Sequence, residues 1–286
     1  MATVLSKSYH AGNGCLKIEK IKTINIKPKP KTIPLKANID KYFISANAVD
    51  DIPESYYQKL EPVLQTLEAF TRNTNKVVYV VDYLKKNFLY SSAGIEELCG
   101  ITKEEMEEMG YLFHSHYVPK EEQQMLLELN KAGFEFYESL PKEEREGYSI
   151  SYDFHVMKGD QVTMIHHDLT YLITTRKGRI WLALCTMSPS SSMQPGNIIM
   201  RKEGSRTIHE YNRETHEWEE RKLPKINPME RLMLTKLMQG YTMEEISKNE
   251  SISLNTLKAS KRLLFQKLNA HNISQAITYC MNYKLI

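Results

Sequence analysis

The chain has 286 residues, 41% hydrophobic and 26% charged, a size and balance that suit two globular domains rather than a fibrous or disordered chain. No run of about 18 apolar residues is present to span a membrane, the first 20 residues lack the apolar stretch of a secretion signal, and four scattered cysteines (Cys15, Cys99, Cys185, Cys280) exclude a disulfide scaffold or a cysteine-rich zinc site. The expected setting is a reducing cytoplasm, and the net charge of +3 divides unevenly into +7 over residues 1–45, −10 over 46–221 and +6 over 222–286.

Residues 1–53 read as a basic extended arm, in which Lys alternates with Ile and Pro as in Ile21-Lys22-Thr23-Ile24-Asn25-Ile26-Lys27-Pro28. Residues 54–72 place Leu60, Val63, Leu64, Leu67 and Phe70 at helical spacing, with Pro62 near the start. The period then changes to strand-like runs at 76–81 and 87–90, joined by a short polar turn, which predicts a hairpin. Short helices follow at 93–99 and from Thr102, where Thr102 and Glu105 have capping-box spacing, and a longer helix is expected over 119–131. Three runs at 148–157, 161–173 and 178–187, with Gly159-Asp160 and Arg176-Lys177-Gly178 between them, predict an antiparallel meander. Short strands at 197–200, 207–211 and 217–223 read as a hairpin extension of that sheet.

From residue 227 the pattern is helical to the end, which puts a domain boundary near 222 and gives a sensor region over 54–221 and an all-α region over 222–286. Pro228 opens a first helix with Met233, Leu234 and Leu237 inward, and Thr242 with Glu245 caps a second that buries Ile246. After a turn at Asn249-Glu250-Ser251-Ile252, Ser253 caps a third helix with Leu257, Leu264 and Leu268 on one face. Its other face carries Asn255, Lys258, Lys261, Arg262 and, at its end, Lys267. Residues 251–286 hold five cationic side chains and no carboxylate, a distribution that attracts polyanions. Two short helices joined by a tight turn, the second greasy on one side and cationic on the other, make a helix-turn-helix whose second helix fits a B-DNA major groove about 12 Å wide. A small bundle with a solvated basic face is the plainer reading of the same periodicity.

The order of residues adds to this. Ile226-Asn227-Pro228-Met229-Glu230-Arg231, Gly240, Glu245-Ile246, Ile252-Ser253, Asn255-Thr256-Leu257-Lys258, Lys267-Leu268 and Asn272-Ile273-Ser274-Gln275-Ala276-Ile277 resemble the LuxR/FixJ-type DNA-binding domain, ungapped along the whole helical region. The resemblance implies that the third helix reads DNA through Thr256, Lys258, Lys261 and Arg262, and Asn255 joins them as a candidate from its place on the same outer face. It also implies that the fourth, with Ile273, Ala276, Ile277 and Cys280, is a dimer contact. The chain departs from the family pattern at Ser260 (usually His), Leu257 (usually Val), Ser251 in the turn and Glu250 (usually Leu).

The middle region resembles a PAS domain over about 75–190, carried by its element order and by Val80-Val81-Asp82, Cys99-Gly100-Ile101-Thr102-Lys103-Glu104-Glu105 and Val118-Pro119-Lys120-Glu121-Glu122. The fold expected is therefore α+β, a PAS-like antiparallel sheet sensor domain followed by an all-α helix-turn-helix domain. A phosphoacceptor receiver with Asp82 as its acidic residue would need a parallel sheet, which the meander contradicts. His114, His116, His166 and His167 invite a metal, but strand neighbours point to opposite faces, so no metal and no cofactor is expected and strand histidines read as half-exposed. Phe88, Phe113, Tyr171 and Trp181 are candidates to line a pocket for a small-molecule ligand, or simply to fill a core. No GxSxG, phosphate-cradling loop or HExxH occurs, so an enzyme is not expected.

The expected function is a DNA-binding transcription regulator: a homodimer on a two-fold site of double-stranded DNA, its acidic sensor docking electrostatically on the basic reader, with RNA polymerase as a further partner and no membrane. A protein-interaction adaptor or a sigma-factor-like, polymerase-contacting module is the alternative.

Overall fold

The computed structural model describes residues 40–44, 48, 49, 52–145 and 147–286, so most of the basic arm expected over 1–53 lies outside the described residues. After a 3-10 turn at Asp40–Tyr42 come two helices, α1 (Glu54–Gln58) and α2 (Glu61–Thr71), the second with Pro62 in its first turn, where a missing amide donor costs nothing. The hairpin follows as β1 (Val77–Asp82) and β2 (Asn87–Ser91). Its turn is built by Asp82, which accepts hydrogen bonds from the Leu84 and Lys85 amides at 2.9 and 3.0 Å and from the Tyr57 hydroxyl at 2.7 Å. Asp82 is thus a buried turn-former, not a phosphate acceptor.

Helices α3 (Gly94–Cys99), α4 (Lys103–Met109), α5 (Leu112–Tyr117) and α6 (Lys120–Ser139) cover one sheet face. The Thr102–Glu105 capping box forms as expected. Helix α5 was not anticipated, and α6 runs eight residues beyond the expected end at 131. Its extra turns pass closely over the sheet: a Cβ on Gly133 would meet Ile150 Cδ1 at 3.0 Å.

Strands β3 (Tyr148–Lys158), β4 (Gln161–Thr174) and β5 (Ile180–Pro189) form the expected meander, and β6 (Gly196–Lys202), β7 (Thr207–Asn212) and β8 (Glu217–Lys222) extend it. All pairings are antiparallel in one eight-stranded sheet of order β2-β1-β5-β4-β3-β6-β7-β8. The first five strands with helices between β2 and β3 are the PAS arrangement, and the remaining three continue it beyond β3. This extension is covered on both faces. Tyr211 and Trp218 join the core beneath α6, while Ile199 and Ile208 point to the other side.

Helices α7 (Pro228–Met238), α8 (Met243–Asn249), α9 (Leu254–Leu268) and α10 (Ile273–Asn282) complete the chain. Each begins with a side-chain cap: Asn227, Thr242, Ser253 and Asn272 accept from the amide three residues on, satisfying one of the open donors of a helix start. Met233, Leu234, Ile246, Leu257, Leu264, Leu268, Ala276 and Cys280 are buried at the centre of this bundle. Among the described residues no helix is long and apolar enough to cross a membrane.

Candidate functional site

Helix α9 is about 22 Å long at 1.5 Å per residue, and its apolar side is buried through Leu257, Leu264 and Leu268. Asn255, Lys258 and Arg262, at helical spacings of three and four, stand on its opposite, exposed side. Thr256 is exposed in the first turn, where its hydroxyl meets the capping Ser253 hydroxyl at 2.7 Å. Lys261 sits on the flank, half-buried, with its ammonium 5.8 Å from the centre of the Phe265 ring. No carboxylate among the described residues pairs with Lys258, Lys261 or Arg262. The expected contact residues are therefore brought together on one helix, with its positive dipole end at Ser253 and no acid in the first turn.

Two charges differ from the sequence reading. Lys267 does not belong to the open basic face: its ammonium contacts the Glu230 carboxylate at 2.5 and 2.7 Å and the Lys225 carbonyl at 3.0 Å. Glu230 is buried and also accepts from the Asn227 amide, so Lys267 neutralises a carboxylate the fold would otherwise leave alone. Glu250, which replaces an apolar residue at the turn, pairs with Lys236 at 2.9 Å and adds no free negative charge beside α9. Ser251 holds the left-handed backbone of that turn, with φ of 53°.

Of the four residues expected at a dimer contact, two face inward and two lie nearer the surface. Ala276 and Cys280 are fully buried in the chain's own helical core, because α10 closes the bundle with that face. Ile273 and Ile277 remain half-buried on the adjoining stripe, which continues to the exposed Met281.

Inside the sensor, a cavity of about 50 Å³, room for a few water-sized spheres, lies between α6 and the sheet. Its walls include Tyr79, Tyr83, Tyr111, Tyr152, Tyr171, His114 and His167. Of the pocket candidates read from the sequence only Tyr171 lines it; Phe88 and Phe113 fill the core beside it, and Trp181 packs on the other sheet face. The alternation Val77, Tyr79, Val81 carried a signal for Tyr79, whereas the His114-Ser115-His116 run drew attention to His114 as a metal ligand and not as a cavity wall.

Neither strand histidine is half-exposed, contrary to expectation: His166 and His167 are each 1% exposed. His167 Nε2 and the Tyr79 hydroxyl are hydrogen-bonded at 2.7 Å, while the Nδ1 atoms of His167 and His114 are buried without a partner. Burial pushes His167 down to about 3 and His114 down to about 4, so the cavity presents neutral imidazoles. His166 lies on the opposite face, 2.9 Å from Asp153 and 3.6 Å from Asp168. Burial opposes its charge, but the hydrogen bond to Asp153 and attraction from both carboxylates outweigh that and raise it to about 9. Among the described residues no group of three or more His, Cys, Asp or Glu side chains is placed to hold a metal ion.

Reader and sensor touch through α10. Tyr283 packs with Ile199, Ile208 and Leu223, and Tyr279 and Leu285 pack against that cluster. The ion pairs of the reader, Lys236–Glu250 and Lys267–Glu230, are internal. The contact thus joins an apolar cluster to a hydrogen bond from Asn197 to the Tyr283 hydroxyl, with no ion pair across it among the described residues, and it leaves the outer face of α9 open.

Residues 227–280 match the family model for bacterial regulatory proteins of the luxR family. None of the curated proteins matches the chain in sequence. Among solved structures, a phage VqmA in complex with DPO is 16% identical, covering 80% of this chain and 91% of that one with a TM-score of 0.32. The VqmA dimer of Vibrio cholerae, in the absence of target DNA, is 16% identical over 78% of this chain and 88% of its own, with a TM-score of 0.31. The PAS domain of a protein from Colwellia psychrerythraea is 17% identical over 45% of this chain and 97% of its own, with a TM-score of 0.34.

Proposed function

We propose that this chain, a transcription regulator whose residues 227–280 are a DNA-binding domain of the luxR family, reads duplex DNA with α9 under the control of the sensor over 54–221. Asn255 and Thr256 face base edges near the start of that helix, and Lys258, Lys261 and Arg262 neutralise phosphates along its flank. Two chains bind a two-fold site, pairing through the stripe of Ile273, Ile277 and Met281 rather than through Ala276 and Cys280. The tyrosine- and histidine-lined cavity takes a small, uncharged, hydrogen-bonding molecule, since a charged one would meet only neutral imidazoles and phenols there. The regulator acts in the cytoplasm without catalysing a reaction, and RNA polymerase is a further partner.

The observation that carries this reading is the exposed face of a helix whose cations pair with no carboxylate among the described residues and whose other face is buried. Anisotropy titration of a labelled duplex at increasing salt tests it. Affinity is expected to fall log-linearly with salt. Replacing both lysines, Lys258→Ala with Lys261→Ala, should weaken binding to all sequences and reduce the slope by about 1 for each phosphate no longer neutralised. Unchanged affinity and slope in the double variant would overturn the contact assignment. Selection of bound sequences from random DNA should return inverted half-sites about one helical turn apart; direct repeats or single sites would overturn the two-fold arrangement.

A further inference from the structure

Strand β4 is in contact with both the sensor cavity and the reader. His167 lines the cavity, with its ring centre 4.5 Å from that of Tyr152 and its Nε2 on the Tyr79 hydroxyl. His166, the next residue and about 3.8 Å away along the backbone, points through the other face of the sheet. There its ring centre is 5.8 Å from that of Tyr283, edge to face, in the segment that follows α10.

This second face is a built contact. Asn197 donates to Asp153 Oδ2 at 2.8 Å and to the Tyr283 hydroxyl at 2.7 Å, and Asp153 Oδ1 receives His166 Nδ1 and the Ser190 hydroxyl. Tyr283 is 4% exposed, so its hydroxyl has exchanged water for this network. Backbone geometry is bent to make it. The β3–β6 register shifts between Ser151 and Asp153, and Asn197 takes the left-handed conformation with φ of 49°. Bulges of this kind re-aim side chains, and here they aim Asp153 and Asn197 at one tyrosine of the other domain.

We propose that β4 is a two-sided relay, by which the occupancy of the cavity sets how firmly Tyr283 clamps the reader to the sensor. A molecule that displaces His167 acts on a residue joined by one peptide to His166, whose ring packs on Tyr283, and Asp153 links His166 to the Asn197 that donates to the Tyr283 hydroxyl. The outer face of α9 is open in the clamped state, so the clamp governs the placement of the reader, and with it the spacing of two readers in a dimer, rather than masking its DNA-contacting face. The relay rests on the reading of the cavity as the sensing site, but its mechanical part is measured without a ligand.

Hydrogen–deuterium exchange of the full chain, followed over 278–286 and over β4, tests it with Tyr79→Phe as the cavity-side perturbation. Tyr283→Phe and Asn197→Ala should each raise exchange at 278–286 about fivefold, the weight of roughly one hydrogen bond. Tyr79→Phe should raise it too, and the Tyr79→Phe/Tyr283→Phe double variant should go no further than Tyr283→Phe alone, since both act through one network. The exposed Tyr56→Phe serves as a control and should change neither segment. No rise in either clamp variant would overturn the clamp. A Tyr79→Phe effect confined to β4, or effects that multiply in the double variant, would overturn the relay. DNA affinity of the unsubstituted chain is read separately, so failure of the DNA-binding reading leaves a result distinct from failure of the relay.

Discussion

Aliphatic and sulfur-containing side chains from Met233 to Cys280 fill the centre of the DNA-binding domain, whereas the centre of the sensor is ringed by tyrosine hydroxyls and two neutral histidines around a small cavity. The same chain therefore places its chemistry on the outside of one domain and on the inside of the other. In the reader, burial of apolar surface holds a scaffold whose exposed face meets a partner. In the sensor, imidazole and phenol groups are instead enclosed, away from water, around the cavity. Charge follows the same division: the reader uses Lys267 for folding and leaves Lys258 and Arg262 exposed on the same helix, with no carboxylate partner among the described residues.

Those lysines give the largest expected difference. Lys267→Ala leaves the buried Glu230 carboxylate without its ammonium and should cost about 3 kcal/mol of stability, measured by chemical denaturation monitored on the reader's amides. Lys258→Ala should leave stability within about 0.5 kcal/mol and weaken duplex binding instead. Equal effects of the two on folding would erase the distinction between a structural and a contacting lysine.

The two interiors should also respond differently to pH. His114 and His167 are held neutral in the folded sensor with values depressed to about 4 and about 3, so the unfolded chain takes up protons first and stability falls as pH drops below about 6.5. His166 is raised to about 9, so its contribution is complete below about 6.5 and disappears as pH rises toward 9. Amide protection in β4 and β5 should thus peak at about pH 6.5 and decline on both sides, more steeply on the acid side, where two histidines rather than one change their charge. Protection in α9 should stay flat across the same range, and a parallel decline there would show that the domains unfold as one.

The smallest effect tests the turn before α9. Ser251→Gly should stabilise the reader by about 0.5–1 kcal/mol, because glycine adopts a φ of 53° without the crowding a Cβ brings. A decrease in stability would mean that the serine side chain contributes more than its backbone costs.

Much of the fold was legible in the sequence. Thr102 with Glu105, Thr242 with Glu245 and Ser253 marked helix starts where the structure has them, and the 148–187 runs paired as an antiparallel meander. What escaped had long-range causes. Helix α6 outruns its expected end because its later turns pack on β3, and α5 is too short to show a period. For the site, the open cations of α9 were readable from helical spacing, while the cavity was not, since Tyr79, His114 and His167 meet across 88 residues or fewer without any shared local pattern. Alternation along β4 told correctly that His166 and His167 face opposite sides, yet not that both sides are buried.

Local spacing alone determined the four capped helices of the reader and the greasy and cationic sides of α9, because these depend on hydrogen bonds and side chains three or four residues apart. Only the tertiary structure decided that β6 joins the sheet beside β3, that Lys267 is captured by Glu230, that α10 turns Ala276 and Cys280 inward, and that Tyr283 reaches Asn197. Each of these depends on which of several sterically permitted partners excludes the most water, and that is settled by the packing of the whole chain.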